Sequence, residues 1–571
     1  MKHTVWKIKE QATPEQVGVL CNAINVSAPM ASLLFQRGVT DYDSAKKFFR
    51  GGLSLLHDPA QMADMSKAVN RLSEALENEE QILFYGDYDV DGTTSVAMFL
   101  SFFKDVYPYV DYYIPDKYRE GYGISDRGLA YAEEIGATLI ITLDCGIQEV
   151  EQVQKAKESG IEVIICDHHQ PDDVLPSAVA ILNPKREDCP YPYKGLSGCG
   201  VGFKLLQAFC QEHDVPEDDL WRLTDLLAVS IACDIVPITG ENRVLAKEGL
   251  RRLESTENYG LQALMKRIKG DEPVTISKLV FGMGPRLNAA GRVAHANLSV
   301  KLLTSNSHTE AENFLKDIET KNQQRKAYDQ LATAQALQMI KENGWGNRFS
   351  TVLYHPDWHK GVVGIVASRC TEVYYRPTVV LTFSDGFVTG SARSVGDFDL
   401  YGALHECREY FISFGGHKAA AGIKLLPDDV DSFRVKFEEV VKNKLNGEEF
   451  VEELPIDVCL NLDQVTANFY TLIQQMRPFG PENRQPLFMS ERLNVSGNVR
   501  VLKDKHLKFT VRQEGRLHRY EAIGFGMATD YLSLLESGES FDICYHIQAN
   551  EYRNNRFLQL VIKDIRIHGK A

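Results

Sequence analysis

Seven acids and histidines in this chain have the types and spacing of a divalent-metal site. Asp87, Asp89 and Asp91 alternate in Gly86-Asp87-Tyr88-Asp89-Val90-Asp91-Gly92, Asp144 opens Asp144-Cys145-Gly146, His168 and His169 follow Asp167, and Asp234 ends an apolar run. Hard ions such as Mn²⁺ and Mg²⁺ prefer carboxylate oxygen, and Mn²⁺ also accepts imidazole. Two such ions held close together activate water and neutralise charge at an in-line phosphoryl centre. A lone Asp-x-Asp-Gly is usually a turn, and paired histidines are commonly surface residues. Three such groups, each at the end of a buried strand, are another matter. Burying that many like charges without a cation costs several kcal/mol per group.

The elements that must position these groups are apolar strands. Ile82 to Tyr85, Val110 to Ile114, Leu139 to Leu143, Val163 to Cys166 and Val179 to Leu182 alternate with helical stretches near Ser95 to Lys104, Ser125 to Ile135 and Glu149 to Glu158. This is a βαβ pattern, which predicts an α/β fold with a doubly wound parallel sheet. Such sheets bind ligands beyond their strands' carboxyl ends, where the acids stand. Helices are expected from Phe203 to Ile231, then a long polar helix from Thr309 to Asn343. A second α/β region has strands Thr351 to Tyr354, Thr378 to Phe383 and Gly386 to Ser391. Short alternating strands after Pro455 predict a small β-barrel. The expected division is a helical lead-in (1–50), a catalytic domain (51–305), a connector helix (306–345), a second α/β domain (346–435) and a barrel (455–571).

The chain has 571 residues, and no apolar run approaches the roughly 20 residues of a membrane helix. Its start shows no signal-peptide pattern, so a cytoplasmic location without membrane attachment is expected. Eleven cysteines without a Cys-x-x-Cys pair argue against a disulfide framework or structural zinc. A net charge of −15 argues against a polyanion partner, but what matters is charge around a groove. From Arg500 to Lys570 there are 12 Lys or Arg against nine Asp or Glu. There Tyr520, Tyr545, Tyr552 and Phe557 interleave with Arg516, Arg519, Arg553 and Arg556, a pattern for stacking bases and tracking phosphates. The plainer reading makes those rings barrel core.

Further residues suit phosphate. The forks of Arg292, Arg369 and Arg393, the hydroxyls of Ser391 and Ser394 and the amides of Gly415-Gly416 could hold a 5′-terminal phosphate, with His417 touching the scissile one. Arg119 and Tyr122, in Arg119-Glu120-Gly121-Tyr122-Gly123, lie at the same sheet edge as the acids and would grip backbone and stack on a base.

Gly86 to Gly92, Leu143-Asp144-Cys145-Gly146 and Asp167-His168-His169 together resemble the signature of the DHH phosphoesterase superfamily. Arg286-Leu287-Asn288-Ala289-Ala290-Gly291-Arg292, His359 to Arg369, Ser391-Ala392-Arg393-Ser394 and Gly415-Gly416-His417 are similar to its branch of single-strand-specific DNA exonucleases. That resemblance covers almost the whole chain. It implies a Mn²⁺- or Mg²⁺-dependent enzyme, using two ions, that degrades single-stranded DNA from its 5′ end to 5′-mononucleotides in repair and recombination. It also implies a DHHA1-type second domain and an OB-fold barrel. Carried over, Asp87, Asp89, Asp91, Asp144, His168, His169 and Asp234 form the metal cluster, with Asp167 orienting a histidine. Asp89, Asp91, Asp144, His168, Asp234 and His417 are the catalytic set. Arg119, Tyr122, Arg286, Asn288, Arg292, Arg369, Ser391, Arg393, Gly415, Gly416 and His417 contact DNA. A single-strand-binding protein and a DNA helicase are the expected partners. Two other classes stay open: a small-substrate phosphoesterase, and a non-catalytic strand-binding scaffold. Small-substrate relatives tend to place a histidine just upstream of the paired acids, and Gln81 to Gly92 contains none; a decayed scaffold loses ligands, and all are present here.

Overall fold

The computed structural model describes residues 4–104, 106–268, 270, 273–552 and 555–569. They form two compact units, one built from Trp6–Gly284 with Leu454–Ala571, the other centred on Pro285–Glu453.

In the first unit, strands Ile82–Gly86, Val110–Tyr113, Leu139–Leu143, Glu162–Cys166 and Ala180–Leu182 pair in parallel. Their spatial order, numbered along the chain, is 2-1-3-4-5. Strand order therefore reverses between Ile82–Gly86 and Leu139–Leu143, and at that switch point the loops diverge to opposite faces and leave a crevice. Both strands are buried along their whole length, as their uninterrupted apolar runs require. The helix after the first strand starts earlier than expected, at Val90. Asp89 is its N-cap, accepting from the Asp91 and Gly92 amides at 2.8 and 3.2 Å, so the motif is a helix start and not a turn. Gly92 is needed there because a Cβ would lie 2.4 Å from the Asp87 carbonyl oxygen.

The same unit contains the barrel. Strands Phe488–Val495, Phe541–Tyr552, Asn555–Ile567, Arg519–Gly524 and His506–Gln513 follow one another round a closed circuit. Closure removes the sheet edges. The lead-in helices pack on the barrel: Leu20, Met30, Leu33 and Leu34 share a core with Phe488, Phe541 and Ile543. The buried Arg243 joins barrel to catalytic domain by donating to the Met476 carbonyl at 2.7 Å and stacking 4.2 Å from the Phe48 ring. Tyr545 is fully buried core, the Tyr520 hydroxyl donates to the Val465 carbonyl, and Arg516 pairs with Asp463. This part of the proposed stacking surface is therefore structural. The side chains of Tyr552, Arg553 and Arg556 lie outside the described residues.

In the second unit the helix His308–Glu342 is 35 residues long. Its last turns are more than a connector, because Ala332, Ala336 and Ile340 form a core with Val362, Val366 and Val380. The five-stranded sheet has Thr378–Ser384 parallel to Thr351–Tyr354 and antiparallel to Phe387–Arg393. A hairpin of Phe411–Gly416 and Ala420–Leu425 extends it, an element absent from the sequence reading. Among the described residues no single helix is long and apolar enough to cross a membrane. The 11 cysteines are all free, and eight of them are buried.

Candidate metal centre and nucleic-acid interface

The seven predicted ligands converge at the switch point. Donor atoms of Asp87, Asp89 and Asp144 lie within 4.8 Å of one another, and so do those of Asp91, His168 and Asp234, and of Asp144, His168 and His169. Asp144 belongs to two of these groups. It adopts a left-handed backbone (φ 67°), an uncommon conformation for a non-glycine residue that aims its carboxylate into the cluster.

Hydrogen bonding leaves one face of the cluster unsatisfied. Among the described residues, Asp87 Oδ1, Asp144 Oδ1, His168 Nε2 and Asp234 Oδ2 are buried without a hydrogen-bond partner. His168 Nδ1–H donates to the Leu196 carbonyl at 3.0 Å, which fixes the neutral tautomer and leaves the Nε2 lone pair facing Asp144 Oδ1 at 3.2 Å and Asp234 Oδ2 at 3.5 Å. Burial, foremost, holds the His168 pKa below its ordinary value. Burial and then mutual repulsion push the carboxyls of Asp87, Asp89, Asp144 and Asp234 upward. An all-oxygen and imidazole donor set with orphaned buried atoms fits divalent cations, which would supply the missing partners.

The surroundings orient these ligands. Asp167 is buried; its Oδ1 accepts from the His168 and His169 amides and from His169 Nδ1 at 2.7 Å, and its Oδ2 accepts from the Ile147 amide. Burial opposes ionisation, but these donors hold its pKa at about 2. His169 is thereby held through Nδ1, which also faces Asp144 Oδ1 at 4.0 Å. Tyr122 is placed by its hydroxyl, which donates to the Asp144 carbonyl at 2.9 Å and lies 2.9 Å from His169 Nδ1. The sequence assigns Tyr122 only a stacking role; the ring is 41% exposed and still available for one. Arg119 is exposed and shares a 570 Å³ pocket with Tyr122 and Glu149, whose pKa burial and then Asp167 raise to about 7.

Several contributors were not foreseen. Asp91 accepts from the Gly198 and Cys199 amides at 2.6 and 2.9 Å and from the Ser230 hydroxyl at 2.6 Å. The two amides open the helix Gly198–Glu212, and a helix N-terminus stabilises an anion. The readable signal was Ser197-Gly198-Cys199-Gly200, where Ser197 caps the helix and glycine permits close approach. Lys117 lies over the Tyr88 ring and acts electrostatically on Asp87, while Lys185 acts on Asp234.

In the second unit the predicted arginines gather. Arg393 donates to Ser391 Oγ and the Ala392 carbonyl, both at 2.7 Å, and burial and then Arg292 lower its pKa. Arg369 pairs with buried Asp329 at 2.7 Å. Arg325, on the long helix, was missed; besides burial, Asp329, Arg292 and Arg369 act on it. Ser394 is committed, donating to the Phe398 carbonyl at 2.7 Å. Arg286 faces Glu319 at 3.6 Å, and Asn288 is half-buried on the helix Gly284–Val293. Gly415, Gly416 and His417 are exposed at the hairpin tip.

A parallel sheet carrying an acid and histidine cluster at its switch point defines a phosphoesterase of the DHH class, and residues 81–231 match the model of the DHH family N-terminal domain. Residues 347–443 match the DHHA1 domain, and 456–564 match the RecJ OB domain. Over 563 residues the chain is 35% identical to the single-stranded-DNA-specific exonuclease RecJ of Bacillus subtilis (strain 168), covering 98% of this chain and 70% of the relative. It is 32% identical over 559 residues to that of Escherichia coli (strain K12), covering 93% and 95%. The chain belongs to the RecJ family. The crystal structure of RecJ in complex with Mn²⁺ from Thermus thermophilus has the same fold, with a TM-score of 0.84 at 24% identity over 99% of this chain and 80% of that one.

Proposed function

We propose that the chain is a metal-dependent exonuclease that hydrolyses single-stranded DNA from its 5′ end, releasing 5′-mononucleotides in repair and recombination. The observation that carries this reading is the set of three overlapping donor groups, linked through Asp144 and His168, with four buried atoms left unpartnered among them. Asp87, Asp89 and Asp144 would hold one Mn²⁺ or Mg²⁺, and Asp91, His168 and Asp234 the other, with His169 as a further ligand. Bound ions supply Lewis acidity at the phosphoryl group and a nucleophile drawn from water. Asp167 and Tyr122 keep the imidazole of His169 in the ligating orientation. Asp91 is fixed by the Gly198 and Cys199 amides.

Arg292, Arg369 and Arg393 with Ser391 would hold the 5′-terminal phosphate, now joined by Arg325; Arg286, Asn288 and the Gly415-Gly416 backbone would contact the strand. His417 is assigned to the scissile phosphate, and Arg119 with the exposed ring of Tyr122 to the leaving nucleotide. A single-strand-binding protein and a helicase in the cytoplasm would supply the strand. The five-part division of the chain given above is retained in this reading.

The test is cleavage of single-stranded DNA labelled at either end, with Mn²⁺, beside a matched duplex and Asp89→Ala. Mononucleotides appearing first from the 5′ label of the single strand, and none from the variant, are expected. Strand binding without cleavage would refute catalysis.

A further inference from the structure

A second cavity, of about 760 Å³, lies in the first unit between the barrel, the lead-in helices and the catalytic domain. Arg50 of the lead-in, Lys247 of the catalytic domain, Arg477 before the barrel and Lys563 in its strand Asn555–Ile567 all line it. No Asp or Glu does among the described residues, in a chain of net charge −15. None of these four cations has an ion-pair partner among the described residues, unlike Arg71, Arg186 and Arg516 of the same unit. Four exposed cations and no acid around one pocket make its local field positive and attractive to an anion.

The remaining lining narrows the anion. Phe49 and Phe479, each only partly buried, offer ring surface, and the Gln474, Gln485 and Gln548 amides each offer a donor beside an acceptor. Cations track phosphate, rings stack on bases, and side-chain amides match the paired donor and acceptor of a base edge. The volume falls in the range of small-molecule sites, roughly 300–1,000 Å³.

We infer that this cavity is a second nucleotide-binding site, separate from the metal centre, that takes a nucleoside phosphate. The nucleotide comes from either of two sources, a free 5′-mononucleotide or one unit of a bound strand. Binding here needs neither metal nor cleavage, so the inference does not depend on the nuclease reading.

The test is equilibrium dialysis of radiolabelled dAMP in EDTA against the full-length chain carrying Arg393→Ala, which removes competition from the arginine cluster. One dAMP per chain is expected, with at least tenfold weaker binding when Lys247→Gln and Lys563→Gln are added, and likewise for deoxyadenosine without its phosphate. The melting temperature reports that the double variant is folded, since both lysines are exposed. If dAMP is not retained but (dA)8 is, and the lysine variant weakens (dA)8 tenfold, the site stands with the strand as its source. Binding indifferent to both lysine substitutions, or equal for dAMP and deoxyadenosine, overturns the inference. So does capture of an acidic hexapeptide with no nucleotide or strand bound. In the otherwise unaltered chain the two lysine substitutions should leave Mn²⁺-dependent cleavage of a short oligonucleotide within threefold, so the outcome is read apart from catalysis.

Discussion

Gly198→Ala should damage the metal centre without unfolding the chain. A Cβ at Gly198 would lie 2.5 Å from both Cβ and Oδ1 of Asp144 and 2.7 Å from its Cα. Ordinary contact begins near 3.4 Å, so carboxylate and helix must separate by roughly 1 Å. Asp144 contributes to two donor groups, and Gly198 also donates its amide to Asp91, so both groups are disturbed by one methyl. Overpacking costs about 1–3 kcal/mol, and Gly to Ala in a helix returns up to about 1 kcal/mol, so net stability falls by no more than about 3 kcal/mol. A misplacement of about 1 Å can cost on the order of 100-fold in rate, and disturbed support of ligands costs about 10–100-fold in metal affinity. Mn²⁺ titration by calorimetry, with nuclease rate at saturating Mn²⁺, would read both. Gly200→Ala is the internal control, since its Cβ meets nothing nearer than 3.4 Å. A Gly198→Ala chain within threefold of the parent in affinity and rate would refute the packing argument, as would equal damage from Gly200→Ala.

Three other outcomes follow from the same geometry. Because Asp87, Asp144 and Asp234 have raised pKa values in the metal-free site, Mn²⁺ must displace protons. Affinity should fall as pH is lowered through the range where these carboxyls take up protons, read by Mn²⁺ titration across pH; a pH-independent affinity would contradict this. Asp225 is buried with a pKa of about 6 against 3.8 for the free side chain, so its stabilising, protonated state is lost as pH rises through 6. That gap corresponds to about 3 kcal/mol, so Asp225→Asn should gain stability relative to the parent between pH 4 and 6 and hold that gain above; a pH-independent difference in melting temperature would refute it. Arg393→Lys loses the planar fork that bonds Ser391 and should lower the preference for 5′-phosphorylated over 5′-hydroxyl strands by about tenfold, measured as a kcat/KM ratio.

Much of the catalytic sheet was legible because its three central strands are buried on both faces and so are written as apolar runs, each ending in an acid. What supports the cluster was harder to read. The contact of Gly198 with Asp91 joins residues 107 apart, and Ser-Gly-Cys-Gly reads as loop unless its anion is known to be there. Arg325 sits in a polar helix where an arginine is unremarkable; only its approach to Arg292 and Arg369 distinguishes it. Tyr520 and Tyr545 followed the alternation of any barrel strand, and alternation alone does not say which ring is core.

The shared core of the lead-in helices and the barrel bears on how the chain is made. Leu33 and Leu34 leave the ribosome some 450 to 510 residues before Phe488, Phe541 and Ile543, with which they share a core. At about 5–20 residues per second, that is a wait of roughly 20–100 s with an apolar surface open. Arg243 likewise waits for the Met476 carbonyl. That surface stays open throughout synthesis of the middle third, and a chain arrested before the barrel would expose those leucines for good.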